Sequence, residues 1–184
     1  NSSLIALNLM TANTVKVAIA QMNSIVGDLL GNAQQIVAYV SRAAAQSADI
    51  VVTPELSLVG YPPEEVLLRT AFYQQTQAAL QKLTSDLQQF QNIYVLVGHP
   101  LARDGYHYNA ISVLLNGAII HTYLKHALPN DAVFDEKRYF VTGNQAVVFE
   151  VKGTRFGINI CEDVWNGDAP QLARAAGAHV LLAP

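Results

Sequence analysis

Thr154-Arg155-Phe156-Gly157-Ile158-Asn159-Ile160-Cys161-Glu162-Asp163-Val164-Trp165 contains an apolar run that stops on the chain's single cysteine, with two acids directly behind it. Two more apolar runs stop on a reactive side chain in the same way. Ile50-Val51-Val52-Thr53-Pro54 leads to Glu55, and Ala118-Ile119-Ile120-His121-Thr122-Tyr123-Leu124 leads to Lys125. Short apolar runs bounded by turn residues read as strands, and open α/β sheets place their chemistry at strand ends. A carboxylate, a cation and a thiol on three strand ends are the parts of a covalent amide hydrolase. Singly, each has an ordinary reading: Cys161 as a small buried hydrophobe, Glu55 as a helix-start acid, Lys125 as a solvated strand end. The joint pattern favours catalysis.

Working outward, Val15–Gln21 is a further strand, and Asn32 opens a helix whose Ala33, Ile36, Val37, Val40 and Ala44 form one buried stripe. After the strand at Ile50–Thr53 comes a Gly60-Tyr61-Pro62-Pro63 loop, and Glu64-Glu65 begin a helical stretch. A second helix carries Leu80, Leu83, Leu87 and Phe90. Strands follow at Ile93–Gly98, Asn109–Leu115 and Ala118–Leu124, with turns at Asp104-Gly105 and Asn116-Gly117. A hairpin through Lys152-Gly153 joins Ala146–Val151 to Thr154–Ile160, and Ala169–Ala176 is a short helix before a strand at Val180. Since βαβ units and hairpins both occur, the pattern predicts a layered α/β domain with a mixed sheet.

The 184 residues suit one domain, and 51% hydrophobic with 14% charged residues suits a large core. A net charge of −3 gives no footprint for nucleic acid or an anionic membrane. One cysteine excludes an intrachain disulfide and fits a reducing cytoplasm. No apolar stretch approaches the roughly 18 residues of a membrane span. Residues 1–13 read as a leader, flexible or added, with Met10 as a candidate natural start. At the other end, Val180-Leu181-Leu182-Ala183-Pro184 is an apolar strand with nothing after it, which reads as a truncated chain.

Several stretches resemble a known family. Pro54-Glu55-Leu56-Ser57, Lys125 before His126-Ala127-Leu128-Pro129, and Gly157-Ile158-Asn159-Ile160-Cys161-Glu162-Asp163 resemble the Glu-Lys-Cys triad of the nitrilase (carbon–nitrogen hydrolase) superfamily. Gly60–Arg69, Val133–Phe140 and Cys161–Trp165 resemble one branch, the glutaminase domain of bacterial glutamine-dependent NAD⁺ synthetases. The resemblance implies an αββα sandwich, incomplete at its C-terminus, over residues 14–184. It implies hydrolysis of glutamine to glutamate and ammonia through a Cys161 thioester. The ammonia would serve ATP-dependent NAD⁺ synthesis in the chain's own C-terminal synthetase domain. ATP and Mg²⁺ belong to that absent domain, and no cofactor or metal is expected here. Homo-oligomers are expected from the relatives.

By the same resemblance Glu55 is the general base, Lys125 the stabilising cation and Cys161 the nucleophile, with the Glu162 backbone N–H as a second oxyanion donor. Tyr61 and Trp165 match pocket positions, although either reads equally as a core aromatic. Glu162 either holds the substrate amino group or faces solvent. Glu136 resembles an acid after the lysine loop, yet Asp135-Glu136-Lys137-Arg138 also reads as a solvated charge run. Two positions depart from the pattern: Asp131 stands where the branch commonly has tyrosine, and Val133 where many members place a second glutamate. Either Glu136 substitutes for that acid or the branch manages without it.

The five histidines form neither HExxH nor a His/Cys cluster, and no G-x-S-x-G elbow or P-loop occurs. Two competing readings remain: a stand-alone amidase of the same fold acting on another small amide, and a non-catalytic fragment.

Overall fold

The computed structural model describes residues 14–130, 135–165 and 167–184. The leader at 1–13 and the departures at Asp131 and Val133 lie outside the described residues. Two sheets form where chain periodicity suggested one. The first contains β1 (Val17–Ile19), β2 (Ile50–Val52), β3 (Tyr94–Arg103), β4 (Tyr106–Leu115) and β5 (Ala118–Leu124), in that spatial order. Its β1–β2 and β2–β3 pairs are parallel, and its β3–β4 and β4–β5 pairs are antiparallel. The second contains β6 (Val148–Val151), β7 (Thr154–Ile158) and β8 (Val180–Leu182), with β6–β7 antiparallel and β7–β8 parallel.

The sheets pack face to face. Ile50, Val52, Leu96, Ile111, Val113 and Tyr123 of the first meet Phe149, Val151, Phe156, Ile158, Ile160 and Leu182 of the second segment. Each such side chain, fully buried, contributes about 1.5–3 kcal/mol relative to exposure. On the outer face of the first sheet lie α1 (Leu29–Ala45) and α2 (Thr70–Asp86), which pack Ile36, Val40, Leu80 and Leu83 on Val51, Val95, Val97 and Leu114. The helix α3 (Asp168–Ala175) covers β7 closely, and a Cβ on Gly157 would stand 3.0 Å from that of Ala173. The layers are therefore helix, sheet, sheet, helix, the αββα sandwich implied by the resemblance.

Local boundaries moved for identifiable reasons. The first helix starts at Leu29, three residues before Asn32, because Asp28 is the cap and accepts the Gly31 N–H at 2.9 Å. Asn32 is instead fully buried and pairs with backbone groups of Ile25 and Leu58. The Glu64-Glu65 stretch is a separate 3-10 turn, Glu64–Leu68. The second helix ends at Asp86, so Leu87 falls in a following 3-10 turn and Phe90 lies beyond it. Among the described residues no helix is long and apolar enough to cross a membrane.

Candidate active site

Glu55 leaves the end of β2 on a tight loop. Leu56 takes a left-handed φ of +51°, and Thr53 and Ser57 share a 2.6 Å hydroxyl contact across the turn. The loop lies so close to β3 that a Cβ on Gly98 would stand 2.5 Å from the Leu56 nitrogen and 2.7 Å from the Pro54 carbonyl oxygen. Lys125 follows β5. Its N–H donates to the Asn109 carbonyl at 2.9 Å, and its own carbonyl accepts the Gly143 N–H at 2.8 Å. Gly143 is required there, since a Cβ would fall 2.4 Å from the Leu124 carbonyl oxygen.

The Lys125 ammonium is buried between two carboxylates. It donates to Glu55 Oε1 at 2.6 Å and to Glu136 Oε1 at 2.7 Å, and the residue is 1% exposed. Glu136 is thus not part of a solvated charge run; it opens the 3-10 turn Glu136–Arg138 and faces inward. Burial disfavours the Lys125 charge, but the two carboxylates outweigh it and the pKa is raised. Burial also raises Glu136, joined by the like charge of Glu55 and opposed by Lys125. An ammonium has three N–H donors. Two are committed to carboxylates, and the third has no partner among the described residues.

Cys161 comes three residues after the last residue of β7, at the head of a 3-10 turn, Cys161–Val164. Its φ of +42° is unusual for a residue with a side chain, and such strain recurs where a group is held for function. The residue is exposed, so the reading of it as a buried hydrophobe fails. Its N–H donates to the Pro184 carbonyl at 2.8 Å, just past β8. Partial burial of the thiol and the charge of Glu55 raise its pKa, while Lys125 and the Glu162 backbone N–H oppose the rise and Glu136 adds to it. The thiol therefore lies within electrostatic reach of all three charged groups.

A cavity of about 330 Å³ opens beside this cluster, walled by Leu56, Tyr61, Pro63, Glu136, Arg138 and Phe140 among others. Tyr61 links cavity and cluster. Burial pushes its pKa up to about 12, and Glu55, Glu136, Lys125 and Cys161 all act on it. Tyr61 at 41% and Trp165 at 75% exposure are not core aromatics. Glu162 is half-buried, and neither it nor Trp165 lines the cavity. Among the described residues no cluster of His, Cys, Asp and Glu is arranged to hold a metal ion.

The carbon–nitrogen hydrolase family model matches residues 16–184. This chain belongs to the carbon–nitrogen hydrolase family. Among curated relatives, the glutamine-dependent NAD(+) synthetase of Acinetobacter baylyi is 41% identical over 152 residues, covering 82% of this chain and 27% of that protein. Its namesake from Thermotoga maritima is 36% identical over 168 residues, covering 91% and 29%. The chain thus spans less than a third of the length of either relative. The solved glutamine-dependent NAD+ synthetase from Acinetobacter baumannii, in complex with ADP, superposes with a TM-score of 0.84 at 36% identity, over 92% of this chain and 32% of that one. An amidase from Nesterenkonia sp. gives a TM-score of 0.79 at 23% identity over 92% of this chain and 64% of that one, a likeness of fold alone.

Around this cluster, two residues escaped the sequence reading. Asn109 is buried in β4, and its Nδ2 donates to Glu55 Oε1 at 2.7 Å and, more weakly, to Glu136 Oε2 at 3.5 Å. An amide at the head of the Asn109–Leu115 run, followed by mostly apolar residues, was the available signal. Asp163 is also buried, and accepts from the Tyr123 hydroxyl and from the N–H groups of His126, Ala127 and Ile160. Its signal was its place two residues after the cysteine.

Proposed function

We propose that this chain is the glutaminase part of a glutamine-dependent NAD⁺ synthetase. The observation that carries the reading is Lys125 held between Glu55 and Glu136, a cluster whose charges all act on the Cys161 thiol. The named relatives support glutamine as the substrate.

The chemistry follows from the roles of these groups. Glu55 takes the Sγ proton of Cys161, whose raised pKa leaves it mostly protonated at rest. The thiolate attacks the side-chain carboxamide carbon of glutamine. The free Lys125 N–H and the Glu162 backbone N–H receive the tetrahedral oxyanion; losing one such donor typically costs about 3–4 kcal/mol. Collapse expels ammonia, which takes the proton from Glu55, and leaves a Cys161 thioester. Glu55 then takes a proton from water, whose oxygen attacks the thioester carbon. Glutamate departs and the proton returns to sulfur. Acid–base assistance of this kind is worth about 10²–10⁴-fold. Glu136 shares the burden of neutralising buried Lys125, the accessory role open to it from the sequence. The ammonia is used by a synthetase domain beyond this segment, where ATP and Mg²⁺ bind.

Intact-mass labelling with a glutamine-like electrophile tests the reading. One adduct on Cys161, suppressed by free glutamine, is expected, together with loss of ammonia release in Cys161→Ala of the full-length protein. Labelling indifferent to glutamine, or turnover retained without the thiol, would remove glutaminase chemistry from this site.

A further inference from the structure

Asn109 is 1% exposed and lies inside β4, away from the cavity wall. Its amide orientation is not arbitrary. Two carboxylates face it, and an Oδ1 turned toward them would meet oxygen lone pairs. The Nδ2 must therefore point at Glu55 and Glu136, and Oδ1 is left buried without a hydrogen-bond partner among the described residues. The side chain gives up one hydrogen bond to keep its N–H on the acids.

The consequence for Glu55 is an asymmetry between its two oxygens. Oε1 accepts from Lys125 Nζ at 2.6 Å and from Asn109 Nδ2 at 2.7 Å. Oε2 accepts nothing among the described residues. We propose that Asn109 is a positioning residue that selects Oε2 of Glu55 as the basic oxygen by saturating Oε1 from the rigid strand β4. The same residue fixes the lysine, because its carbonyl accepts the Lys125 N–H at 2.9 Å. One residue thus sets the separation of base and cation from a strand, which holds geometry better than a loop does. The inference rests on Glu55 being the base.

The pH profile separates positioning from mere support. Glu55 faces Lys125 after β5, Glu136 on its 3-10 turn, Cys161 after β7 and Tyr61 on its own loop. Against that fixed set, Asn109 contributes a neutral donor that favours the ionised carboxylate. Removing the donor makes protonation easier, so the base is lost at a higher pH.

The experiment is ammonia release from glutamine by the full-length protein across the pH range, for Asn109→Leu, Asn109→Asp and Glu55→Gln. In Asn109→Leu the acid limb of kcat should move up by about one pH unit, with kcat about tenfold lower on that limb and KM nearly unchanged. The isosteric Asn109→Asp should move the limb at least as far, through its added negative charge, and it is the variant to read if leucine prevents folding. An acid limb that stays in place in the folded variants, or a fall in kcat by one factor at every pH, overturns the proposal. Glu55→Gln must be inactive throughout. Turnover in that variant would instead sink the assignment of the base, and this inference with it.

Discussion

The carboxylate of Asp163 accepts the backbone N–H of Ala127 at 2.6 Å, which fastens the loop carrying Cys161 to the loop that follows Lys125. The same carboxylate takes the His126 N–H at 2.9 Å, the Ile160 N–H at 2.9 Å and the Tyr123 hydroxyl at 2.7 Å. Nucleophile and cation come from different sheets, so this is the bolt that holds the two halves of the site in register. Asp163→Ala strands two buried donors, the Tyr123 hydroxyl and the Ile160 N–H, and two partly buried ones; a buried donor left unsatisfied costs about 1–3 kcal/mol. A total loss of about 3 kcal/mol or more is expected in urea unfolding. Glutamine protection of the thiol should vanish with it. A midpoint equal to that of the unaltered chain would show the bolt to be idle.

Thiol reactivity should respond to the neighbouring charges with opposite signs. Burial raises the Cys161 pKa first, Glu55 adds to the rise, and Lys125 opposes it. Glu55→Gln removes a negative charge, so more thiolate forms and alkylation at neutral pH should quicken by at least about threefold. Turnover should meanwhile be lost. Lys125→Met should slow the same alkylation. Equal rates in all three proteins would mean that the charges do not reach the sulfur.

The three strand-end residues were legible because each closes an apolar run, and a run's end is local information. The two sheets were not legible, because their separation depends on which strands pair. Val148–Val151 reads as well in a single mixed sheet as in a second layer. Only the packing of Phe149 and Phe156 against Ile50 and Leu96 decides between them. The resemblance supplied the sandwich that periodicity lacked. Glu136 had two readings within a charged tetrapeptide, and its burial against Lys125 comes from a contact between residues on separate loops. Asn109 and Asp163 passed unnoticed because a buried polar residue looks in sequence like any solvated one. Their partners, Glu55 and Tyr123, are 54 and 40 residues away.

The Glu55 loop should be intolerant of a single methyl group on the neighbouring strand. Gly98→Ala would place its Cβ within 2.7 Å of two backbone atoms of residues 54–56, which cannot swing aside like the end of a side chain. Overpacking of this kind costs typically about 1–3 kcal/mol. Because the displaced backbone bears Glu55, kcat should fall at least about tenfold, more than the lost stability alone would cause at saturating glutamine. Calorimetry and ammonia release on the same sample check this, and an unaltered kcat would show that the loop relaxes without moving its carboxylate.

Lys125 gives a stability effect whose pH dependence has a definite sign. Its pKa is raised in the fold, so its contribution is fully present below its ordinary value of 10.5 and constant through the neutral range. Lys125→Met leaves buried Glu136 and partly buried Glu55 as facing carboxylates without a counter-ion, and breaking a buried ion pair costs about 3–5 kcal/mol. Glu136 is already raised above its ordinary 4.5 by burial, and loss of the cation raises it further. The folded variant then holds a proton that the unfolded chain releases. Its stability falls as pH rises from 4.5 toward the folded value, and the deficit against the unaltered chain widens once pH passes the lower folded value that Glu136 has beside Lys125. Urea unfolding of both proteins from about pH 4.5 to about pH 8 should show the deficit smallest at the acid end. A deficit that is constant across the range would mean that the two carboxylates do not depend on Lys125 for their charge.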